Sequence, residues 1–379
     1  AGTRKTHNLV VWDIETGVRE PPLIVHAHSR QVDDIQFGGD SNTVYSAGAD
    51  GFLKVWDLSR CQPYDAISGV DPLSQLGYAD DNTLVFHDQQ GMIQRWDVSA
   101  REPRTPLDQE RKYHRIAISD DGGYLAGLTH NDELRVWNLE SRRKVREMKG
   151  VTDGNCRLVV SRDGRLVTYA TNIRDKEDGT YANISLFDLG NRIQTTDGEL
   201  EERVTFTSWP AFSPDGKRLV IQRQGYEKYT SQILDIAADP IEQRYQLHGW
   251  GPETCAAFSH DGSMLAIGSH NYDIRIHDAD SGKLLHTLRG HTDAPQCLAF
   301  NRGGTRLISA GADGTVRIWT IGANECQLVS TLRGHAGMIE SVAVSPEDSS
   351  IASVSEDRTL LVWGTANQSE VDQDVNRRL

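Results

Sequence analysis

The sequence has little of what marks several large classes of protein. It contains five cysteines among 379 residues, and no two of them stand in the CxxC spacing of a zinc or redox site. No apolar run approaches the roughly 18 residues that a membrane-spanning helix requires, and no signal peptide is visible. The sequence therefore predicts no metal site, no cofactor, no disulfide framework and no membrane span, and it favours a cytoplasmic protein.

Positive charge is also in deficit. Lysine and arginine number 40 against 54 aspartates and glutamates, which gives a formal net charge of −14. A strongly acidic molecule repels phosphate backbones and anionic lipid. We therefore expect neither nucleic acid nor a membrane surface as a partner of the whole molecule, although this charge is compatible with a local basic patch.

What the sequence does contain is an internal repeat, which is clearest between His291 and Trp319. Apolar residues alternate with polar ones in Gln296–Phe300 and in Thr315–Trp319. A third apolar run, Arg306–Ala310, lies between them, and glycine-rich turns bound it. This period-2 pattern predicts three antiparallel strands in a meander.

Four polar positions of this repeat are predicted to be joined by hydrogen bonds. A carboxylate in a tight turn can accept hydrogen bonds from backbone N–H groups and from an imidazole. The other nitrogen of that imidazole faces a serine hydroxyl, and the hydroxyl faces an indole N–H. The spacings of 18, 4 and 6 residues between the His, Ser, Asp and Trp occur three times. The three tetrads are His28, Ser46, Asp50 and Trp56; His291, Ser309, Asp313 and Trp319; and His335, Ser353, Asp357 and Trp363.

A set of Ser, His and Asp could also be a catalytic triad. A hydrolase needs one exposed nucleophile beside an oxyanion hole, whereas this set recurs along a repeat and has a tryptophan as its fourth member. We therefore interpret the tetrads as structural and predict no catalytic residue in these repeats.

The tetrads and two recurring dipeptides resemble those of the WD40-repeat family. Gly-His pairs stand at residues 290–291 and 334–335, and Trp-Asp pairs at 12–13, 56–57 and 96–97. The resemblance implies an all-β propeller of four-stranded antiparallel blades. Their third strands are predicted to end at Trp12, Trp56, Trp96, Trp137, Phe187, Leu234, His277, Trp319 and Trp363.

Two blades depart from the tetrad pattern. Gly127 and Asn131 replace the serine and the aspartate in one blade, and Ile267 and Asn271 replace them in another. We expect these two blades to be held together by packing instead.

The sequence leaves two ways to close a ring. In the first, Cys61–Ser68 supplies the outer strand of the last blade, which gives seven blades over residues 61–363 and leaves residues 1–57 as the end of a preceding propeller. In the second, residues after Asp13 supply that strand, which gives one eight-bladed ring over residues 14–363. The chain begins within a repeat, so we favour the first closure and a piece of a longer polypeptide, such as a bacterial multidomain protein. The polar segment 364–379 is expected to be disordered.

Resemblance to WD40 proteins implies a non-catalytic scaffold that binds protein or peptide partners. The alternative is a C-terminal sensor region of a larger signalling protein, whose kinase or NTPase part lies upstream and is itself a partner. Family contact positions lie three and five residues after the Gly-His histidine and just before the turn aspartate. Carried over to this sequence, they are Gln31, Asp33, Ala49, Lys112, His114, His130, Phe206, Ser208, His270, Ala294, Gln296, Ala312, Met338, Glu340 and Glu356.

Two neighbouring blades have long connections between their second and third strands, Asn172–Asn183 and Gln222–Ser231. These segments are either tolerated surface insertions or an enlarged recognition rim on the face that bears the contact positions. Tyr181, Tyr226 and Tyr229 are the side chains that would anchor such a rim, because interfaces favour aromatic residues.

Overall fold

The computed structural model describes part of the chain with side chains and part by its backbone strands alone. Side chains are described for Ile67 and for residues 70–71, 75–108, 112–131, 133–149, 158–164, 210–221, 230–238, 241–248, 251–323 and 325–364. Backbone strands alone are described within 8–68, 156–206 and 222–229. The predicted disordered tail, apart from Gly364, lies outside the described residues. Every element in the described part is a strand, and none of it forms a helix able to cross a membrane.

The strands follow one another along the chain as the meander pattern predicts. The first six are β1 (Asn8–Val11), β2 (Leu23–His26), β3 (Val32–Phe37), β4 (Thr43–Gly48), β5 (Leu53–Asp57) and β6 (Asp65–Ser68). The next twelve are β7 (Gly77–Asp80), β8 (Thr83–His87), β9 (Ile93–Asp97), β10 (Glu102–Arg104), β11 (Tyr113–Ile118), β12 (Tyr124–Thr129), β13 (Glu133–Asn138), β14 (Arg143–Lys149), β15 (Cys156–Val160), β16 (Leu166–Asp175), β17 (Gly179–Asp188) and β18 (Arg192–Thr195). The last sixteen are β19 (Thr205–Phe206), β20 (Ala211–Phe212), β21 (Arg218–Gln224), β22 (Tyr229–Asp235), β23 (Glu242–His248), β24 (Glu253–Phe258), β25 (Met264–Ser269), β26 (Asp273–Asp278), β27 (Leu284–Arg289), β28 (Pro295–Phe300), β29 (Arg306–Gly311), β30 (Thr315–Ile321), β31 (Cys326–Arg333), β32 (Ile339–Val344), β33 (Ser350–Ser355) and β34 (Thr359–Gly364).

Antiparallel pairing sorts these strands into sheets. Six sheets have four strands each: β7–β10, β11–β14, β15–β18, β24–β27, β28–β31, and β32–β34 with β6. Strands β19 to β23 form a sheet of five, in which β19 and β20 both pair with β21. Strands β1 and β2 form a two-stranded sheet, and β3 to β5 form a three-stranded one.

The expected number of four-stranded blades is wrong. The structure has six four-stranded sheets, not the seven or eight that the sequence suggested. One first strand is interrupted, because Pro210 lies between β19 and β20 and lacks the N–H that a continuous ladder would use. The sheet that contains this break therefore counts five strands.

The eight-bladed alternative is also wrong. Its closure requires a strand just after Asp13 to pair with the last sheet, but β2 pairs with β1. The outer strand on β34 is instead β6, in which Ile67 lies opposite Leu360. This is the closure through residues 61–68.

Sheets that are neighbours in sequence also pack side by side, mostly through their first strands. Strand β11 contacts β8 and β15, β20 contacts β15 and β24, and β28 contacts β24 and β32. Strand β32 in turn contacts β7, so the series of sheets closes on itself. An apolar cluster fills this closing junction, with Leu84 and Phe86 from one sheet and Leu360 and Val362 from the other.

Side chains are more buried on the second strand of a sheet than on its outer, fourth strand. Second strands such as β33 are buried along their whole length, because neighbouring sheets cover both of their faces. Outer strands such as β14 are largely exposed. The sequences agree with this gradient: β33 reads SIASVS, whereas β14 reads RKVREMK.

A recurring serine turn joins first and second strands. In the turn at residues 119–122, the Ser119 hydroxyl donates to Asp121 at 2.7 Å and accepts from the Tyr124 N–H at 2.9 Å. Gly122 closes the turn with φ of +74°, a backbone conformation that favours glycine. The same Ser–Asp hydrogen bond occurs at Ser161, Ser213 and Ser259.

The two long connections are not loops. Strands β16 and β17 continue as a hairpin in which Asn172 lies opposite Ala182, and β21 and β22 do the same with Gln222 opposite Ser231. Main-chain pairing extends each sheet here although the side chains do not alternate between apolar and polar. The long connections predicted at 172–183 and 222–231 are therefore largely paired strands.

Candidate functional site

The tetrad of the β28–β31 sheet forms a continuous chain of hydrogen bonds. His291 Nδ1 lies 2.9 Å from Asp313 Oδ2, and its Nε2 lies 2.7 Å from Ser309 Oγ. The Trp319 indole N–H donates to the same hydroxyl at 2.8 Å. Asp313 also accepts from the backbone N–H of Thr292 at 3.0 Å. Each of the four side chains is therefore satisfied by another member of the set or by the turn backbone.

The tetrad of the last sheet repeats this geometry. His335 contacts Asp357 at 3.1 Å and Ser353 at 2.8 Å, and Trp363 donates to Ser353 at 3.1 Å. Burial alone would raise the pKa of Asp357, but the hydrogen bond and charge interaction with His335, together with those from Thr359 and the backbone, hold it at about 2. The carboxylate is thus ionised and bound in the folded protein.

The first tetrad is described by its strands alone. Ser46 lies in β4 opposite Lys54, and Trp56 lies two residues further along β5. The same offset separates serine and tryptophan in the other two tetrads. His28 and Asp50 lie outside the described residues.

The tetrad serines are not placed to act as nucleophiles. Ser309 and Ser353 are both 0% exposed, and each hydroxyl lies between an imidazole and an indole N–H. A substrate carbonyl could not reach either oxygen without opening the sheet. This burial supports the structural interpretation of the set.

A different network takes the place of the tetrad in the β11–β14 sheet. The Tyr113 ring packs edge-on against Trp137, with ring centroids 5.5 Å apart, and its hydroxyl donates to Asp108 at 2.6 Å. Arg135 donates to the same carboxylate at 2.7 Å and to Glu147 at 3.0 Å. This blade therefore has its own polar network in addition to the packing that the sequence predicted.

Restoring the tetrad serine in this sheet is expected to destabilise it. A Cβ at Gly127 would lie 2.8 Å from the Tyr113 ring and 3.2 Å from the Trp137 ring, because these rings fill the space that serine occupies elsewhere. We expect Gly127→Ser to lower the free energy of unfolding by about 1–3 kcal/mol. Urea denaturation followed by tryptophan fluorescence measures this change. An increase in stability would contradict this account of the sheet.

The contact positions carried over from the family coincide with a repeated backbone irregularity. Four first strands of the ring have a β-bulge near their start, where one extra residue interrupts the register with the second strand. A bulge turns the extra side chain out of the alternation and often occurs beside functional sites. The extra residues are His114, Thr254, Gln296 and Glu340.

Backbone hydrogen bonds join the two loops that carry the contact positions. The N–H of Ala312 donates to the carbonyl of Ala294 at 2.8 Å, and that of Glu356 donates to Met338 at 2.9 Å. His270 bonds in the same way to Pro252 at 2.8 Å. The entry loop and the turn between second and third strands are thus side by side in each of these sheets, on what we call the loop-bearing face.

Among the predicted partner-binding residues whose side chains the structure describes, all but Ala294, which is buried, are exposed or half-buried. Lys112, His130 and His270 are exposed, and Met338 and Glu340 are half-buried. Their exposure leaves these side chains able to contact another molecule.

His114, which is half-buried, stacks on His130 with ring centroids 5.0 Å apart. Phe206 is in β19 opposite Arg223, beside the hairpin that carries Tyr229. Tyr181 is in β17 opposite Ile173, and Tyr226 lies outside the described residues.

Sequence reasoning missed two residues of this face. Thr254 occupies the bulge of β24, and its hydroxyl donates to the carbonyl of Pro295 in the next sheet. The sequence does indicate this position of Thr254. When ETCAAF of β24 is aligned with PQCLAF of β28, Thr254 corresponds to Gln296. Glu253 is the other: it is 5% exposed and accepts a hydrogen bond from Ser231 of the neighbouring sheet.

Glu253 makes folding stability depend on pH. Burial raises its pKa to about 7, against the lowering effects of the Ser231 hydrogen bond and of Arg275. A carboxyl whose pKa is higher in the folded than in the unfolded state stabilises the fold below about pH 4, and this contribution is lost as the pH rises through 7.

We expect Glu253→Gln, which keeps a neutral group in place, to remove this dependence. As the pH rises from 5 to 9, the unfolding free energy of the variant minus that of the parent protein should increase by about 2–3 kcal/mol. Urea titrations at a series of pH values measure the difference, and a difference that is constant with pH would contradict the burial argument.

We searched the described part of the chain for side chains that could bind a metal ion. Within it, no group of three or more His, Cys, Asp or Glu side chains is arranged to hold an ion. Burial raises the pKa of the Cys255 thiol, with a further contribution from Cys297, which keeps this sulfur protonated.

Comparison with known proteins identifies the repeat. The model of the WD domain, G-beta repeat, matches residues 19–57, 242–278, 282–320 and 326–364. The WD repeat-containing protein 26 homolog of Arabidopsis thaliana is 25% identical over 314 residues, which cover 78% of this chain and 49% of the relative. Nuclear distribution protein PAC1 of Arthroderma benhamiae is 24% identical over 313 residues, 82% of this chain and 54% of the relative.

The chain spans about half the length of these curated relatives. They lend no support to a bacterial origin or to a sensor region of a kinase or NTPase. Among solved structures, a chain in the crystal structure of the mitotic checkpoint complex has the same fold, with a TM-score of 0.64 and 17% identity over 81% of this chain and 96% of that chain. WD40 propellers are typically protein-interaction modules and are generally non-catalytic. This chain therefore contains WD40 repeats and has the all-β propeller fold of four-stranded antiparallel blades.

Proposed function

We propose that this protein is a non-catalytic scaffold that binds protein or peptide partners on its loop-bearing face. The observation that carries the proposal is the set of equivalent bulges in the first strands, three of which place the half-buried side chains of His114, Gln296 and Glu340 at corresponding positions. These side chains differ in charge and size. A face built from one repeated position with varied side chains suits recognition of a specific partner, whereas catalysis needs a convergent set of reactive groups.

The two long hairpins extend the same proposal to an enlarged rim of the loop-bearing face. Strands β16 and β17 are ten residues long, and β21 and β22 are seven. Tyr181 and Tyr229 belong to these hairpins, and Phe206 lies in β19, which pairs with β21. A partner that reaches beyond the entry loops would contact this aromatic rim.

We also propose that the five-stranded sheet belongs to the same ring as the six four-stranded blades, so that residues 61–363 form one propeller domain. The contacts from β15 through β20 to β24 support this, because they leave no gap between the four-stranded sheets on either side. Residues 1–57 then form a separate unit, the end of a preceding propeller. The separate two- and three-stranded sheets of this region support that division.

A matched pair of charge reversals tests which face binds. Glu340 lies at the start of β32 on the loop-bearing face, and Glu347 lies in the turn at the other end of the same strand. We expect Glu340→Lys to reduce affinity capture of partners from host lysate, whereas Glu347→Lys leaves it unchanged. The opposite result would place partner binding on the face of the serine turns. Equal melting temperatures for the two variants are the control for folding.

A further inference from the structure

We propose that Asp120, Arg162 and His260, which we call the cross-ring latch, form an acid-sensitive link between the sheets on either side of the five-stranded sheet, and that protonation of His260 opens it. The latch lies among the serine turns, on the face opposite the loop-bearing face. The inference goes beyond the proposed function and does not depend on which partner the protein binds.

The three latch residues occupy one position of the repeat. Each directly follows the serine of a serine turn, in the turns that begin at residues 119, 161 and 259. The turn of the five-stranded sheet has Pro214 at this position, and a proline side chain offers no hydrogen-bonding group. Arg162 reaches His260 past that turn, so it joins two sheets that are not neighbours in the ring.

The Arg162 guanidinium is held on one side by a carboxylate and donates on the other side to a histidine. Its Nε and Nη2 atoms each lie 2.7 Å from an oxygen of Asp120. Toward His260, Nη1 donates to the backbone carbonyl at 3.2 Å, and Nη2 lies 2.8 Å from the ring Nδ1. The Arg162 side chain is only 16% exposed although it belongs to a surface turn. The guanidinium is therefore fixed between two other sheets.

The hydrogen bond to the histidine ring requires a neutral imidazole. A guanidinium has only donors, so Nδ1 of His260 is the acceptor and the ring hydrogen is on Nε2. A proton on Nδ1 would remove this acceptor and place a second positive charge next to that of Arg162. Protonation of His260 is therefore incompatible with the closed latch.

The charged groups that act on His260 favour the same neutral state. Burial has the largest effect on the pKa of His260 and lowers it, and Arg162 acts in the same direction. Arg302 lowers this pKa as well, whereas Asp120 and Asp121 raise it. The pKa of His260 lies below the usual range of histidine as a result.

The other charged side chains of these turns are engaged elsewhere or exposed. Three aspartates accept a hydrogen bond from the serine of their own turn, namely Asp163, Asp215 and Asp261. Arg302 lies 3.9 Å from Glu347 of the next sheet, and Lys217 is exposed. Among these described groups, only Arg162 forms a hydrogen bond with the ring of His260.

The latch spans the sheet whose first strand is interrupted. Strand β20 has only two residues, both of which pair with β21. On the side of β24, Arg218 also ties this sheet to its neighbour, because it donates to the carbonyl of Gly262 at 2.9 Å. On the side of β15, Val159 packs against the apolar cluster around Phe212. Opening of the latch is therefore expected to loosen the junction between β15 and β20.

The closed latch loses stability as the pH falls. A histidine whose pKa is lower in the closed than in the open form stabilises the closed form above about pH 6.5, and this contribution decreases at lower pH. A released imidazole of ordinary pKa is about nine-tenths protonated at pH 5.5. Between pH 7.5 and pH 5.5, the open form should therefore gain about five-fold or more over the closed form.

Hydrogen exchange of the intact chain, measured by mass spectrometry at pH 7.5 and pH 5.5, tests the latch. Exchange rates are divided by those of unstructured amides at the same pH, which gives protection factors. We expect the protection of β20 and β21 to fall about five-fold or more at pH 5.5, whereas that of β33 changes by less than about two-fold. An equal fall in both regions would be a general effect of acid and would contradict a local latch.

Two variants assign the effect to the latch. His260→Asn provides an uncharged acceptor near the place of Nδ1, so the protection of β20 and β21 should be the same at both pH values. Arg162→Met removes the donor and should give the lower protection at both. The control His286→Asn, on outer strand β27, should keep the pH dependence of the parent protein.

A pH dependence that persists in His260→Asn would overturn the inference, as would full protection of β20 and β21 in Arg162→Met at pH 7.5. His260→Asn alone decides the question should Arg162→Met fail to fold.

Discussion

The Ile67→Asp variant is expected to lose about 3–4 kcal/mol of unfolding free energy and to self-associate. Ile67 lies opposite Leu360 in the pair that closes the ring and packs against the apolar cluster between the first and last sheets. A carboxylate at this place carries the cost of burying a charge and weakens the β6–β34 pairing. Detached, β34 becomes an open sheet edge, which pairs readily with other chains.

Urea denaturation and light scattering measure the two effects on Ile67→Asp. The matched control is Leu285→Asp, because Leu285 is also on an outer strand but is 40% exposed. We expect the control to change stability by less than about 1 kcal/mol and to remain monomeric. Equal losses of unfolding free energy in the two variants would contradict a stabilising role of the β6–β34 pair in closing the ring.

Asp313→Ala is expected to destabilise the protein by about 2–4 kcal/mol, because its carboxylate is 3% exposed and is the acceptor for several donors. These donors include the imidazole of His291 at 2.9 Å, the N–H of Thr292 at 3.0 Å and the hydroxyl of Thr315 at 2.7 Å. Removal of the carboxylate leaves them without an acceptor. We expect Asp357→Ala to have an effect of similar size.

The control for the tetrad is Asn131→Ala, at the corresponding turn position of a sheet that lacks the serine. Asn131 is exposed, so its loss should cost clearly less than that of either aspartate. Because the pKa of Asp357 is lowered to about 2, its contribution is fully present above about pH 4 and is lost as the pH falls through 2. Equal urea midpoints for the three alanine variants at pH 7 would contradict the tetrad account.

The tetrads could be predicted from the sequence because they are local. His291, Ser309, Asp313 and Trp319 all belong to one meander, so their spacing along the chain fixes which side chains meet. The ends of the third strands follow from the same repeat. Closure of the ring depends on residues far apart in sequence, and two registers fitted the pattern until the β6–β34 pairing distinguished them.

The features that could not be predicted depend on packing or on main-chain pairing. The hairpin of β16 and β17 is polar and lacks alternation, so only its backbone register shows that Ile173 and Tyr181 are paired. The raised pKa of Glu253 requires the neighbouring sheet that buries it. The stack of His114 on His130 joins two positions that the family pattern placed on one face without indicating their contact.

Site-specific photo-crosslinking tests the central claim most directly, namely that partners bind the loop-bearing face. A photoreactive amino acid would replace Met338 or His270 on this face, and Glu347 or Ser263 at the serine turns on the other. The account predicts crosslinked partner adducts from the first pair of positions and none from the second. Adducts that form only from the serine-turn positions would contradict it.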